Sequence, residues 1–114
     1  MISIDEFKKL DISNGKIETA ARILDSDKLL RLEVNLRSDP STSSGRDTRQ
    51  IVVGIAQYYE PEKLIGREIP ILANLEPRVL RGVESQGMLL AADGNGEPVL
   101  MSPDKDIPPG SIVK

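Results

Sequence analysis

The sequence predicts an all-β barrel of five or six short strands with one small helix between them, and three observations lead there. With one Phe, two Tyr and no Trp in 114 residues, the core must be built from Ile, Leu and Val, which suit strands. Residues 29–36, LLRLEVNL, put Leu30, Leu32, Val34 and Leu36 on one face and Arg31, Glu33 and Asn35 on the other. That period of two marks a half-buried strand. The other apolar runs are short, with turn residues between them, and the length suits one domain, 1–114.

Taken in order, Ser3 and Glu6 have the spacing of a capping box, so a short helix is expected to start at Ser3, with Phe7 packing as a lid. A turn at Asn14-Gly15 is expected to open a strand over 15–24, whose imperfect alternation implies a bulge. The turn DSDKLL leads into the 29–36 strand. Residues 37–49, with Pro, Gly, four Ser and no large apolar side chain, read as a loop with basic flanks. A buried strand follows at 50–55, and a helical turn over 56–66 closes near Gly66. In the strand at 67–75, Pro70 points to a sheet edge or bulge. One more strand is expected over 85–93. Gly94 and Gly96 would then turn it into a hairpin closed by VLMS. The tail from Pro103 is stiffened by prolines. This set suggests an OB-like five-stranded Greek-key barrel with a short helix and a C-terminal extension.

The chain contains no Cys and no His. Cysteine-based zinc sites, haem attachment, disulfides and Ser-His-Asp or Cys-His nucleophiles are therefore excluded. Asp25/Asp27 and Asp104/Asp106 lack the spacing of a calcium loop, and Ser43-Ser44-Gly45-Arg46 is not a phosphate-binding P-loop. No catalytic set, metal or cofactor is expected. No run approaches the roughly 20 apolar residues of a membrane helix, and the N-terminus has no signal-peptide pattern. Cytoplasmic location is the expectation, with no membrane partner.

Net charge is −3, which does not favour a nucleic-acid partner by itself. Its distribution is uneven: residues 16–81 carry 11 basic and 10 acidic side chains, residues 82–114 only 2 basic against 5 acidic. Phosphate binding would rest on a few placed residues rather than on bulk charge. Lys28 is either a solvated turn lysine or a phosphate contact at the barrel mouth. Arg31 is a solubilising group unless its face also collects Lys16, Arg49, Arg78 and Arg81. Arg46 and Arg49 flank a loop that either wraps a polyanion or has no role. Met88 is core filler or an apolar contact under a base. Ser85 and Gln86 are strand-edge residues or donors to bases and sugars. Arg78 and Arg81 precede the glycine-punctuated run Ser85-Gln86-Gly87, an approach that a plain buried strand does not need.

Three stretches, SDKLLRLEV, IVVGIAQYYEPEKLIGREIPILANLEPRVLRGVESQGMLLAA and PDKDIPPGS, resemble the OB-fold tRNA-binding domain family. Its members occur at the C-terminus of methionyl-tRNA synthetases and as free-standing structure-specific tRNA-binding proteins. The resemblance runs from about Ile4 to Val113. It implies a non-catalytic module that binds tRNA by shape and backbone. It also implies a homodimer paired through segments around Ile2–Phe7 and Leu100–Val113, and a methionyl-tRNA synthetase catalytic subunit as a possible partner. By position, Lys28, Arg78, Arg81, Ser85 and Met88 match its tRNA-contacting motifs, and Lys16 and Arg31 carry over less directly. Two departures stand out: the long SDPSTSSGRD segment, and Val53 where the family usually has Ser. The alternative is a secretion-associated chaperone of the same barrel and dimer, binding unfolded peptide.

Overall fold

The computed structural model describes residues 1–36 and 48–114. The 37–47 part of the basic-flanked loop, with Arg46, lies outside the described residues. The capping box forms as expected. Ser3 Oγ accepts from the Glu6 amide, and the Glu6 carboxylate accepts from the Ser3 amide. Together they start helix α1 (Ile4–Phe7).

Strand β1 (Ile12–Arg22) is longer than expected. Asn14-Gly15 does not turn; both residues are buried within it. The strand is the hinge of the sheet. Its first half pairs antiparallel with β4 (Glu68–Leu72) and its second half with β2 (Leu30–Asn35), the two overlapping at Lys16. Gly15 sits at the changeover, where a Cβ would collide with Val34 and come within 2.7 Å of Ile71 Cγ1. Side chains from both neighbours thus fill the space glycine leaves. The expected bulge falls between Ile17 and Thr19.

Strand β3 (Thr48–Val53) pairs with β2, and the two-residue β7 (Met88–Leu89) pairs with β4. The main sheet has the order β3-β2-β1-β4-β7 and curls into a nearly closed barrel. Leu30, Leu32 and Val34 point inward while Arg31 points out, as the alternation requires. Ile17, Ile51, Leu64, Ile69 and Ile71 complete an aliphatic core. Helix α2 (Pro61–Leu64) buries Leu64 beneath the barrel and is followed by Gly66 at φ +89°.

The expected strand over 85–93 is broken into three. Ser85 ends β6 (Val83–Ser85), which pairs with β5 (Arg78–Leu80). Met88 and Leu89 form β7, and β8 (Ala91–Gly94) pairs with β9 (Glu97–Leu100). The cause is Gly87, at φ +147°, where a Cβ would lie 2.9 Å from the Leu72 carbonyl oxygen. The chain changes direction there. In the β8–β9 hairpin the positive φ angles belong to Asn95 and Gly96 rather than to Gly94 and Gly96, the pattern of a type I′ turn. Tyr59 anchors this hairpin: its hydroxyl donates to Pro98 O (3.3 Å) and accepts from Leu100 N (3.2 Å).

The C-terminal extension returns along β1. Asn14 N donates to Ser111 O (2.8 Å), and Gly110 N donates to Asn14 O (2.6 Å). Glu68 secures it, accepting from Asn14 Nδ2 (2.9 Å) and Ile107 N (3.1 Å). The Asn14 amide, then the Ile107 N–H, hold the Glu68 carboxyl below its ordinary value of 4.5, with Lys16 adding to the effect. Among the described residues no helix is long and apolar enough to cross a membrane.

Candidate functional site

The barrel closes between β3 and the 85–87 segment, and side chains do much of the closing. Gln86 N donates to Gln50 O (2.7 Å), an ordinary backbone bond. The reciprocal bond is made by the Gln86 side chain, whose Oε1 accepts from Gln50 N (3.1 Å). Ser85 Oγ accepts from the buried Val52 N (3.0 Å) and donates to Gly87 O (3.1 Å). Gln50 Nε2 donates to Glu84 O (2.7 Å). A hydroxyl and an amide thus stand in for strand carbonyls where the chain kinks at Gly87, and buried backbone donors stay paired. Arg49 belongs to the same seam: Nη1 donates to Ala73 O (2.8 Å) and Gln86 O (3.4 Å).

The seam fixes the β5–β6 hairpin against the barrel wall. The hairpin turns at Arg81-Gly82, with φ of +53° and +77°. A non-glycine residue in that region is strained by about 1–2 kcal/mol. The strained position carries Arg81 to the edge of an open cleft of about 610 Å³. Arg22, Arg31 and Arg81 line this cleft together with Gln50, Asp25 and Glu84, so three cations stand against two carboxylates. The arginines come from β1, β2 and the hairpin turn, and only the fold brings them together. Arg22 reaches Ala56 O (3.2 Å) and Glu60 (3.8 Å), both ends of the ion pair being half exposed; such a pair holds weakly. Among the described residues Arg31, Arg78 and Arg81 form no ion pair.

The other expected residues divide. Arg78 is exposed on the same hairpin, opposite Ser85. Lys28 lines a second cleft beyond the β1–β2 turn. Met88 is 40% exposed on β7. Ser85 is buried, with its hydroxyl committed to the seam, so it positions the hairpin. Arg49 likewise spends hydrogen bonds on backbone carbonyls. Lys16 lies beside Glu68, six residues along β1 from Arg22, roughly 20 Å at ~3.3 Å per residue. The structure does not bring it to the arginine cleft. Sequence reasoning missed Arg22. The bulge between Ile17 and Thr19 is the reason: a one-residue shift flips the face of every later residue, so alternation alone does not place Arg22. Among the described residues no group of three or more carboxylates is placed to hold a metal ion.

Comparison with known proteins adds the following. Residues 12–112 match the family model described as "Putative tRNA binding domain". The chain is 51% identical over 114 residues to the methionine–tRNA ligase of Methanothrix thermoacetophila and 44% identical over 112 residues to that of Archaeoglobus fulgidus. These alignments cover 100% and 98% of this chain but 16% of each ligase, so the chain spans about a sixth of the curated relatives it matches. A MetRS-related protein from Pyrococcus horikoshii superposes with a TM-score of 0.87 at 33% identity, covering 100% of this chain and 98% of that one. The chaperone CsaA from Bacillus anthracis superposes at 0.82 with 26% identity, covering 100% and 99%.

Proposed function

The chain belongs to the tRNA-binding domain family, and from that premise we propose that it is a structure-specific tRNA-binding module that supports aminoacylation. The domain is non-catalytic. The observation that carries the reading is the convergence of Arg22, Arg31 and Arg81 on one cleft, with Arg78 exposed on the adjoining hairpin. Guanidinium groups suit phosphate oxygens because their donors form a fixed planar fork. A rigid rim can match the fixed shape of a folded tRNA without reading bases. Lys28 in the second cleft and the exposed Met88 on β7 would add contacts beyond the arginines, while Ser85 and Arg49 hold the hairpin in place.

The likeness to methionine–tRNA ligases supports a role next to a synthetase catalytic subunit, where a linked binding site raises the local concentration of tRNA. Cytoplasmic location and a homodimer belong to the same reading. Exposed Met1, Ile2, Ile4, Met101 and Ile112 on the terminal segments supply an apolar surface for pairing. The match to a chaperone over the whole of both chains favours a second reading, capture of unfolded peptide.

The test is a tRNA titration across salt concentrations. About four phosphate contacts give a log–log slope near −3 to −4. Arg31→Ala and Arg81→Ala should each weaken binding and reduce the slope by about 1. Salt-independent binding, or displacement of tRNA by unfolded peptide with greater affinity, would favour the chaperone reading instead.

A further inference from the structure

We propose that the second cleft, on the far side of the β1–β2 turn, takes one unpaired nucleotide whose base carries an exocyclic amino group. This rests on the RNA-binding reading above and adds a base-reading subsite to it. The cleft, of about 470 Å³, is wide open to solvent, as a site for a segment of single-stranded RNA would be.

It differs from the arginine cleft in holding an aromatic ring and one cation rather than three. Tyr58 lines it and is 47% exposed. Its neighbour Tyr59 is spent on anchoring the β8–β9 hairpin, whereas the Tyr58 hydroxyl bonds nothing among the described residues. In a chain with three aromatic side chains, leaving one ring free in a cleft is informative. Exposed rings beside a cation are the standard platform for unstacked bases. Lys28 supplies the cation, and it forms no ion pair among the described residues.

Small residues line much of the cleft. A Cβ at Gly54 would meet nothing closer than 4.0 Å, and Gly54 does not have positive φ. Neither packing nor backbone demands glycine there, and it leaves the cleft wall next to Lys28 without a side chain. Ala91 and Ala92 of β8 line the cleft as well. Asp93 and Glu97 of the β8–β9 hairpin line the same cleft. One Asp93 oxygen accepts from Gly96 N (2.7 Å), while Glu97 has no partner among the described residues. One cation against two carboxylates does not suit a run of phosphates. It suits a single phosphate on Lys28 and amino donors on the carboxylates, since a carboxylate accepts from the cytosine N4 amino group and uracil offers none there.

The experiment uses fluorescein-labelled hexamers of cytidine and of uridine, followed by anisotropy with the full chain. Wild type should bind the cytidine hexamer about fivefold or more tighter than the uridine one. Tyr58→Ala should weaken cytidine binding at least about fivefold, the low end of what one stacked base contributes. Tyr58→Phe, which keeps the ring, should stay within about twofold of wild type. Glu97→Ala should level the two hexamers. Circular dichroism melts check that each variant folds. Equal binding of both hexamers by wild type, or wild-type behaviour of Tyr58→Ala, overturns the subsite. If folded tRNA still binds with Arg31 and Arg81 dependence, that failure leaves the arginine cleft standing. Absence of tRNA binding with the hexamer preference intact would instead overturn the tRNA reading and keep the subsite.

Discussion

At the scale of single residues, Ser85 separates holding the site from touching a ligand. Its hydroxyl satisfies the amide of Val52, a residue only 4% exposed. Ser85→Ala leaves that donor buried without a partner, which costs about 1–3 kcal/mol. Urea denaturation should show the midpoint falling with little change in slope. Binding of tRNA measured well below the melting point should change much less than in Arg31→Ala, because Arg22 and Arg31 are held by other strands. Wild-type stability combined with lost binding would instead make the hydroxyl a direct RNA contact. Gln86 repeats the device with an amide, and its side chain doubles a backbone bond to the same residue, Gln50.

Among the elements, the β5–β6 hairpin carries the site's strain. Arg81 occupies a left-handed turn position at φ +53° that glycine adopts without penalty. Arg81→Gly removes the strain but adds chain entropy to the unfolded state, so stability should stay within about 1 kcal/mol of wild type. Affinity for tRNA should fall as in Arg81→Ala, which would separate function from fold at one position by melting and titration in parallel. The C-terminal extension is held differently, through Glu68. Its carboxyl is depressed below 4.5 by Asn14 first and Ile107 second. A depressed carboxylate stabilises the fold above its unfolded value and loses that contribution as pH falls through its folded value. Thermal melts should therefore show wild type losing stability faster than Glu68→Gln as pH drops below 4.5, and the Ile107 amide should titrate in the same window by NMR.

For the molecule as a whole, the arginine cleft and the apolar terminal segments are built from different parts of the chain. The arginine cleft is built from residues 22–31 and 81–84 with Gln50. Exposed apolar side chains occur beside it, at Leu24 and Val79, and also on the terminal segments, at Met1, Ile2 and Ile4 at one end and Met101, Ile112 and Val113 at the other. Ser13 and Ile112 are bridged, which holds the tail beside the start of β1. Neither cleft is lined by a residue of these segments. Ile112→Asp, at a side chain 73% exposed, should halve the mass seen by light scattering while single-site tRNA binding persists. An unchanged mass would remove the terminal segments from any dimer contact.

The aliphatic barrel was legible in the residues, because alternation at 30–36 and the capping spacing at Ser3 and Glu6 are local properties that survive in isolation. The helical turn before Gly66 and the bulge in β1 were legible for the same reason. Asn14-Gly15 misled: it has turn chemistry, yet here a glycine is needed so that β2 and β4 side chains can meet across β1. The run from Ser85 to Asp93 misled as well, since its apolar pattern does not reveal that Gly87 must fit against the Leu72 carbonyl. Cation identity was readable, and cation grouping was not. Arg22, Arg31 and Arg81 meet because a curled sheet brings positions far apart in the chain within one cleft, whereas Lys16, nearer to Arg22 in sequence than Arg81 is, lies along the strand by Glu68. Residue chemistry is written locally; the distances that turn it into a site arise from closing the barrel.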